Sequence, residues 1–271
     1  MAGSQEGGTE EAVRTLASPE PVFEARAVRS IETMRRRLDT PPSLNDLARE
    51  AGLTSWHFLR SFRRATGLPP GRFLSSLRME EAKKRLLETN RRVTDVCFDL
   101  GFESLGSFTR RFTALVGVSP VAFRRLADSF SPKHLTLRME RQEQWKSCPG
   151  LRGVVTAPAS FSGPIFVGLF PQAIPEGFPQ SGALLPGPGP FHLPHAFPEG
   201  ILMAAGIVSF HDPTSYLVPH EGLLVGVLPI GQRLAQKNSG PELHLRPPNP
   251  LDPPILVALL ACLGMPDPSP G

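Results

Sequence analysis

The sequence predicts a multidomain α plus β chain: an all-α domain first, with two helix-turn-helix motifs, and a C-terminal β-sandwich after it. Two distributions carry this. Residues 25–125 hold 20 Lys+Arg against 10 Asp+Glu, a net of +10, whereas residues 151–271 hold 4 against 7, a net of −3. Of the 31 prolines, 22 lie in 151–271 and 5 in 25–125. Proline lacks an amide donor and clashes inside a helix, so the first part can be helical and long helices are disfavoured in the second. The whole-chain charge of +4 conceals this division. Concentrated positive charge on a helical block suits a polyanion, nucleic acid foremost. A solvated basic face is the plain alternative.

The helical block reads as short helices with clear stops. Glu24 to Arg37 places Ala27, Val28, Ile31 and Met34 at helical spacing, and Asp39-Thr40-Pro41-Pro42 ends it. Ser43 caps Leu44 to Ala51, with Asp46 in the acid-favouring first turn, and Gly52 ends that helix. Thr54 caps Ser55 to Thr66, and Gly67-Leu68-Pro69-Pro70 breaks the chain. Gly71 to Glu88 is a longer helix. Thr94 caps Asp95 to Leu100, which Gly101 terminates. Ser104 caps a helix running to about Val116, and Pro120 opens a last short one after Gly117-Val118-Ser119.

Two parts share one plan. Leu44 to Phe62 and Val93 to Phe112 are each a short helix, a glycine turn and a second capped helix. In a helix-turn-helix the second helix enters the major groove by its N-terminal end. Any helical hairpin imitates one copy. Two copies around a single helix, in a block of net +10, are a much stronger signal.

These residues resemble the AraC/XylS family of bacterial transcription regulators. The matches run Leu47-Ala48, Gly52, Thr54, Trp56-His57-Phe58, Arg60, Phe62, Gly67, Phe73-Leu74, Arg78-Met79, Ala82 and Leu86-Leu87. They continue with Val93, Val96, Gly101-Phe102-Glu103-Ser104, Phe108-Thr109-Arg110, Phe112, Gly117-Val118-Ser119-Pro120 and Phe123-Arg124. The resemblance covers about 25–126. It implies seven helices, with both recognition helices in successive major grooves of double-stranded DNA, and RNA polymerase as a protein partner. It also implies DNA contacts at Trp56, Leu59 and Arg60.

Outward positions can be read from the apolar spacing. With Phe58 and Phe62 inward, Ser55, Trp56, Leu59, Arg60 and Arg63 face out. Arg60 is the best base reader, since Arg pairs with guanine O6 and N7. Trp56 suits a sugar or thymine methyl, with a partly buried packing role as its plain alternative. Arg63 and Arg64 suit phosphate contact or a solvated face. In the second unit Leu105, Gly106, Ser107, Thr109 and Arg110 face out. Gly106 has no side chain and Leu105 is apolar, so this unit is expected to supply affinity more than sequence choice. Thr94, with Arg91, Arg92 and the amides beside it, is expected to hold a phosphate. Phe98, Phe102, Phe108, Phe112 and Cys97 read as core.

The chain divides into an acidic, flexible 1–24, the DNA-binding domain at 25–126, a linker at 127–152 and a β-rich domain at 153–271. Short strands are expected at Val154 to Thr156, Pro164 to Pro171, Gly187 to Pro194, Gly200 to Ala205, Tyr216 to Val218, Leu223 to Val227 and Glu242 to Leu245. Their order resembles carboxypeptidase-regulatory-like or prealbumin-like sandwiches, which are binding modules. Pro247 to Pro254 reads as an extended segment. Leu256 to Leu263 reads as a last strand or short helix, or as an exposed dimer contact.

The remaining features exclude function classes. The apolar run Ile255 to Leu263 is far shorter than the roughly 20 residues that cross a bilayer. The N-terminus lacks the basic and apolar regions of a signal peptide, and Cys97, Cys148 and Cys262 are too scattered for a disulfide framework. The expectation is a cytoplasmic protein of the bacterial nucleoid, without cofactor or membrane partner. Both monomer and homodimer fit it. His192, His195, His211, His220 and His244 invite a metal, but strand alternation sets His192 and His195 on opposite faces, and no metal or catalytic residue is assigned. A DNA-binding regulator whose C-terminal domain contacts an effector or a protein leads. A DNA-associated scaffold and a DNA-repair enzyme with the same module are the alternatives.

Overall fold

A computed structural model describes residues 21–128, 150–171, 174–194, 200–206, 217–218, 222–230 and 240–259. Seven helices run in order: α1 (Pro21–Arg36), α2 (Leu44–Glu50), α3 (Ser55–Thr66), α4 (Pro70–Glu88), α5 (Val93–Asp99), α6 (Leu105–Val116) and α7 (Pro120–Asp128). Ser43 and Asp46 form a reciprocal capping box on α2, and the Ser43 hydroxyl and amide hold the Asp46 carboxyl below its ordinary pKa. Helix α1 takes in Pro21 to Glu24, which the sequence assigned to a flexible tail; residues 1–20 lie outside the described residues.

Helix α5 departs from expectation. It starts at Val93 with Arg92 as N-cap and no side-chain cap, so Thr94 sits inside the first turn instead of capping it. The earlier start lets Val93 join Val96, Cys97 and Leu100 on one stripe against the core. Phe98 falls off that stripe and is 53% exposed, contrary to its core assignment. Cys97 is core as expected, and burial pushes its thiol pKa up. Gly101 makes the following turn at φ +72°, and a Cβ there would stand 2.4 Å from the Asp39 carbonyl oxygen. Any other residue is therefore excluded twice, by conformation and by space.

The two helical units repeat at an offset of 50 residues. Thr54 and Ser104 are the caps, and Gly67 and Gly117 end α3 and α6 in the left-handed conformation. The aromatic packing repeats as well. Phe58, Phe62 and Phe73 stack at centroid distances of 5.5 and 5.6 Å, and Phe108, Phe112 and Phe123 at 5.7 and 5.6 Å. Helices α3 and α6 are thus clamped by the same three-ring arrangement.

The second part holds β1 (Leu151–Thr156), β2 (Ile165–Phe170), β3 (Ser181–Leu185), β4 (Gly189–Leu193), β5 (Gly200–Gly206), β6 (Leu224–Ile230) and β7 (Glu242–His244). They form a three-stranded sheet, β4-β1-β7, and a four-stranded sheet, β3-β2-β5-β6. All pairs are antiparallel except β1 with β7. Strand β3 was missed, since Ser181-Gly182-Ala183 has little β-propensity. Leu217 and Val218 lie in a turn instead of the expected strand; Tyr216 is outside the described residues.

The four-stranded sheet is a middle layer. Ile165, Val167 and Leu169 of β2 and Leu202 and Ala204 of β5 share a core with Val155, Phe191, Leu193 and Leu243 of the small sheet. Phe166 and Phe170, with Ile201, Met203 and Ala205, turn the other way into the core that contains the helices. Burial on both faces explains why these strands read as unbroken apolar runs.

The C-terminal segment joins the same core. Leu256, Val257, Ala258 and Leu259 are buried, which overturns the exposed dimer reading for these four residues. The proline stretch before them is not one extended segment. The Asp252 amide donates to the Asn249 carbonyl, and Arg246 grips the Asp252 carboxylate in a fork at 2.7 and 2.8 Å. Proline at 250 suits such a turn.

Lys83 of α4 ties the two parts together. It is fully buried and donates to the Ile255 carbonyl at 3.0 Å. Desolvation lowers its pKa from 10.5 to about 7, against an opposing pull from Glu80. Between those values the unfolded chain binds more protons than the folded one, so this group makes stability rise with pH. Chemical denaturation of the wild type against Lys83→Met is expected to show a stability difference that shifts in favour of the wild type from about pH 7 toward 10. A pH-independent difference contradicts the buried amine.

Candidate nucleic-acid interface

The outward face of α3 is built by what α3 buries. Phe58, Phe62 and Thr66 point inward, and the Thr54 hydroxyl accepts the His57 amide at 3.4 Å, which fixes the start of the helix. Trp56, Leu59, Arg60 and Arg63 are left exposed, as expected. Trp56 is 69% exposed, so a packing role is excluded. The Arg60 guanidinium lies over its ring at 5.4 Å from the centroid, so an apolar plate and a cation form one unit. Ser55 is half-buried and donates to Asn45 Oδ1 at 2.6 Å, joining α2 to α3.

Helix α6 repeats the frame but not the chemistry. The position matching Trp56 is Gly106, and no neighbour stands within 4 Å of a Cβ built there. Leu105 is 39% exposed, the same as Leu59. The Ser107 hydroxyl donates to the Ser104 carbonyl at 2.9 Å and lies 2.8 Å from its hydroxyl, so it belongs to the cap. Thr109 is half-buried and Arg110 is exposed.

At the start of α5, Arg91 is paired with Asp99, and Arg85 meets the same carboxylate at 3.5 Å. The Asp99 partnership pushes the Arg91 pKa up. Arg92 is exposed and Thr94 half-buried. Of the three residues expected to face a phosphate, Arg91 is therefore engaged by Asp99.

Sequence reasoning missed the residues that hold the units in place. Arg78 donates to the Leu38 carbonyl at 2.7 Å and lies over the Phe102 ring at 5.6 Å. Arg124 donates to the Leu86 and Arg91 carbonyls at 2.9 and 2.7 Å. Glu80 and Lys83 are likewise buried on α4, between Leu77 and Leu86. Among the described residues no three His, Cys, Asp or Glu gather as metal ligands, and no helix is long and apolar enough to cross a membrane. His244 meets the Thr156 hydroxyl at 2.6 Å through Nδ1, while His195, His211 and His220 lie outside the described residues.

A family model described as a helix-turn-helix domain matches residues 47–126. The transcriptional activator AarP of Providencia stuartii is 42% identical over 82 residues, 30% of this chain and 61% of AarP. The TetD protein of transposon Tn10 from Escherichia coli is 33% identical over 92 residues, 34% of this chain and 67% of TetD. The chain belongs to the AraC family. The match spans less than two thirds of AarP, and residues 150–271 lie beyond the family model. Among solved structures, the DNA-binding domain of AdpA in complex with a target DNA aligns with 40% of this chain and 97% of that domain, at 25% identity and a TM-score of 0.37.

The division between the exposed and buried faces is testable in this AraC-type domain. Trp56→Ala is expected to change folding stability by no more than about 0.5 kcal/mol. Phe62→Ala should cost about 3–5 kcal/mol. Urea denaturation measures both, and a Trp56→Ala loss as large as that of Phe62→Ala contradicts the exposed assignment.

Proposed function

We propose that this AraC-family chain is a sequence-specific DNA-binding transcription regulator that places α3 and α6 in successive major grooves of double-stranded DNA. The observation that carries it is the repeated, identically capped and clamped recognition helix, set in a block of net charge +10. In α3, Arg60 reads guanine, Trp56 packs on a sugar or thymine methyl, Leu59 adds apolar contact, and Ser55 and Arg63 face the backbone. In α6, Arg110 is the charged contact, while Leu105, Gly106 and Ser107 let the helix approach closely. Arg91, Arg92 and Thr94 face a phosphate at the start of α5.

The domain division at 25–126 and 153–271 belongs to this proposal, as does non-enzymatic action from the nucleoid of a bacterial cytoplasm. Two sheets around one core support the β-sandwich reading of the second domain, and the carboxypeptidase-regulatory-like likeness goes with it. RNA polymerase is the proposed protein partner, and one chain suffices for an asymmetric site, with a homodimer as the other state.

Affinity selection of genomic DNA on the purified protein is expected to recover an enriched motif. Binding to that motif should weaken steeply as salt rises, because several phosphates are neutralised. Arg60→Ala should cost about 1–3 kcal/mol in fluorescence anisotropy and relax one base position. No enriched motif, or a flat salt dependence, overturns the proposal.

A further inference from the structure

A cavity of about 570 Å³ lies between the helices and the four-stranded sheet. Its volume falls in the range of small-molecule sites. The helical side supplies Thr66 and Gly67, at the C-terminal end of α3, with Arg35 and Glu80. The sheet side supplies aliphatic side chains such as Ile201 and Leu223, and seven of the nineteen lining residues are prolines, which present flat apolar ring faces.

The charges on this wall are matched. Arg35 pairs with the buried Glu80 at 2.7 Å. Asp252 is held by Arg246 in its fork. A charged ligand finds no unpaired counter-charge on this wall, and a charge taken from water without one is costly. The wall therefore selects against ions and for an apolar body with rings that lie on proline faces.

The wall also runs into both recognition helices. Gly67 closes α3 by donating its amide hydrogen bond to the Arg63 carbonyl. On the other side, Ile255 lines the cavity and its carbonyl accepts Lys83. Three residues later the Ala258 amide donates to the carbonyl of Val116, the last residue of α6, at 3.0 Å. The Gly177 amide donates to Leu115 beside it at 2.6 Å. The segment that forms one wall thus also closes the final turn of α6, and an occupant pressing on it bears on both helix ends.

We propose that this cavity binds a neutral, largely apolar, ring-bearing organic molecule, and that occupancy changes affinity for DNA. The coupling to DNA rests on the regulator reading above; binding in the cavity does not.

Nile red, a neutral apolar fluorophore, is the probe. Titrated with the full chain, it is expected to bind saturably at one site. Val227→Trp, which fills the mouth from a position that is 49% exposed, and Pro229→Glu, which charges it, should each weaken binding by about tenfold or more. Thermal melts establish that both variants fold. On the wild type, saturating Nile red should change affinity for the enriched DNA motif by about fivefold or more, and the motif should change Nile red affinity by the same factor. No saturable binding, binding that both folded variants retain, or DNA affinity unmoved by bound dye overturns the inference. Failure of the wild type to bind any DNA selectively, with dye binding intact, instead overturns the regulator reading.

Discussion

Helix α4 packs against α1, α3, α5, α6 and α7, so each helical unit is built against the same 19-residue rod. Phe73 meets the ring clamp of the first unit, and Leu86 lies where Arg124 of the second unit anchors. At 1.5 Å per residue the rod is about 28 Å long, close to one turn of DNA at about 34 Å. Its burial fixes the offset and orientation of α3 relative to α6. Without it, α3 and α6 would sit on either side of a hinge; with it, they are held in one fixed relation.

The same helix sets the relation to the second part of the chain. Glu80 and Lys83 are ionisable groups on a buried face, a costly placement that apolar residues would have avoided. Each has a specific partner: Arg35 for Glu80, and the Ile255 carbonyl for Lys83. Packing of Phe166, Phe170 and Met203 against the helical core means that the sheets are not a tethered accessory but a continuation of the core. The charge division along the chain follows from this arrangement. Apolar residues of the sheet part cover one side of the helical core, while Arg60, Arg63, Arg92 and Arg110 stay exposed.

Much of the helical part was legible because its signals are local. Caps at Ser43, Thr54 and Ser104, stops at Gly67 and Gly117, and the spacing of Phe58 to Phe62 and Phe108 to Phe112 need no knowledge of distant residues. Trp56, Leu59, Arg60 and Arg63 followed as the remainder of that pattern. What failed depended on tertiary partners. Val93 gained burial by entering α5 early, displacing Thr94 from its cap, and Phe98 was left outside the stripe. In the second part, the apolar runs at β2 and β5 marked strands, but not that helices cover one of their faces. The bonds that Lys83, Gly177 and Ala258 make between helices and sheet part join residues far apart in the chain and leave no local signature.

Hydroxyl-radical footprinting of the purified chain on its enriched DNA motif tests most directly whether α4 makes one surface of two readers. Two protected patches about one helical turn apart on the same DNA face are expected. Arg60→Ala should fade one patch and Arg110→Ala the other. A single protected patch, or two patches on opposite faces, contradicts a rigid pair of recognition helices.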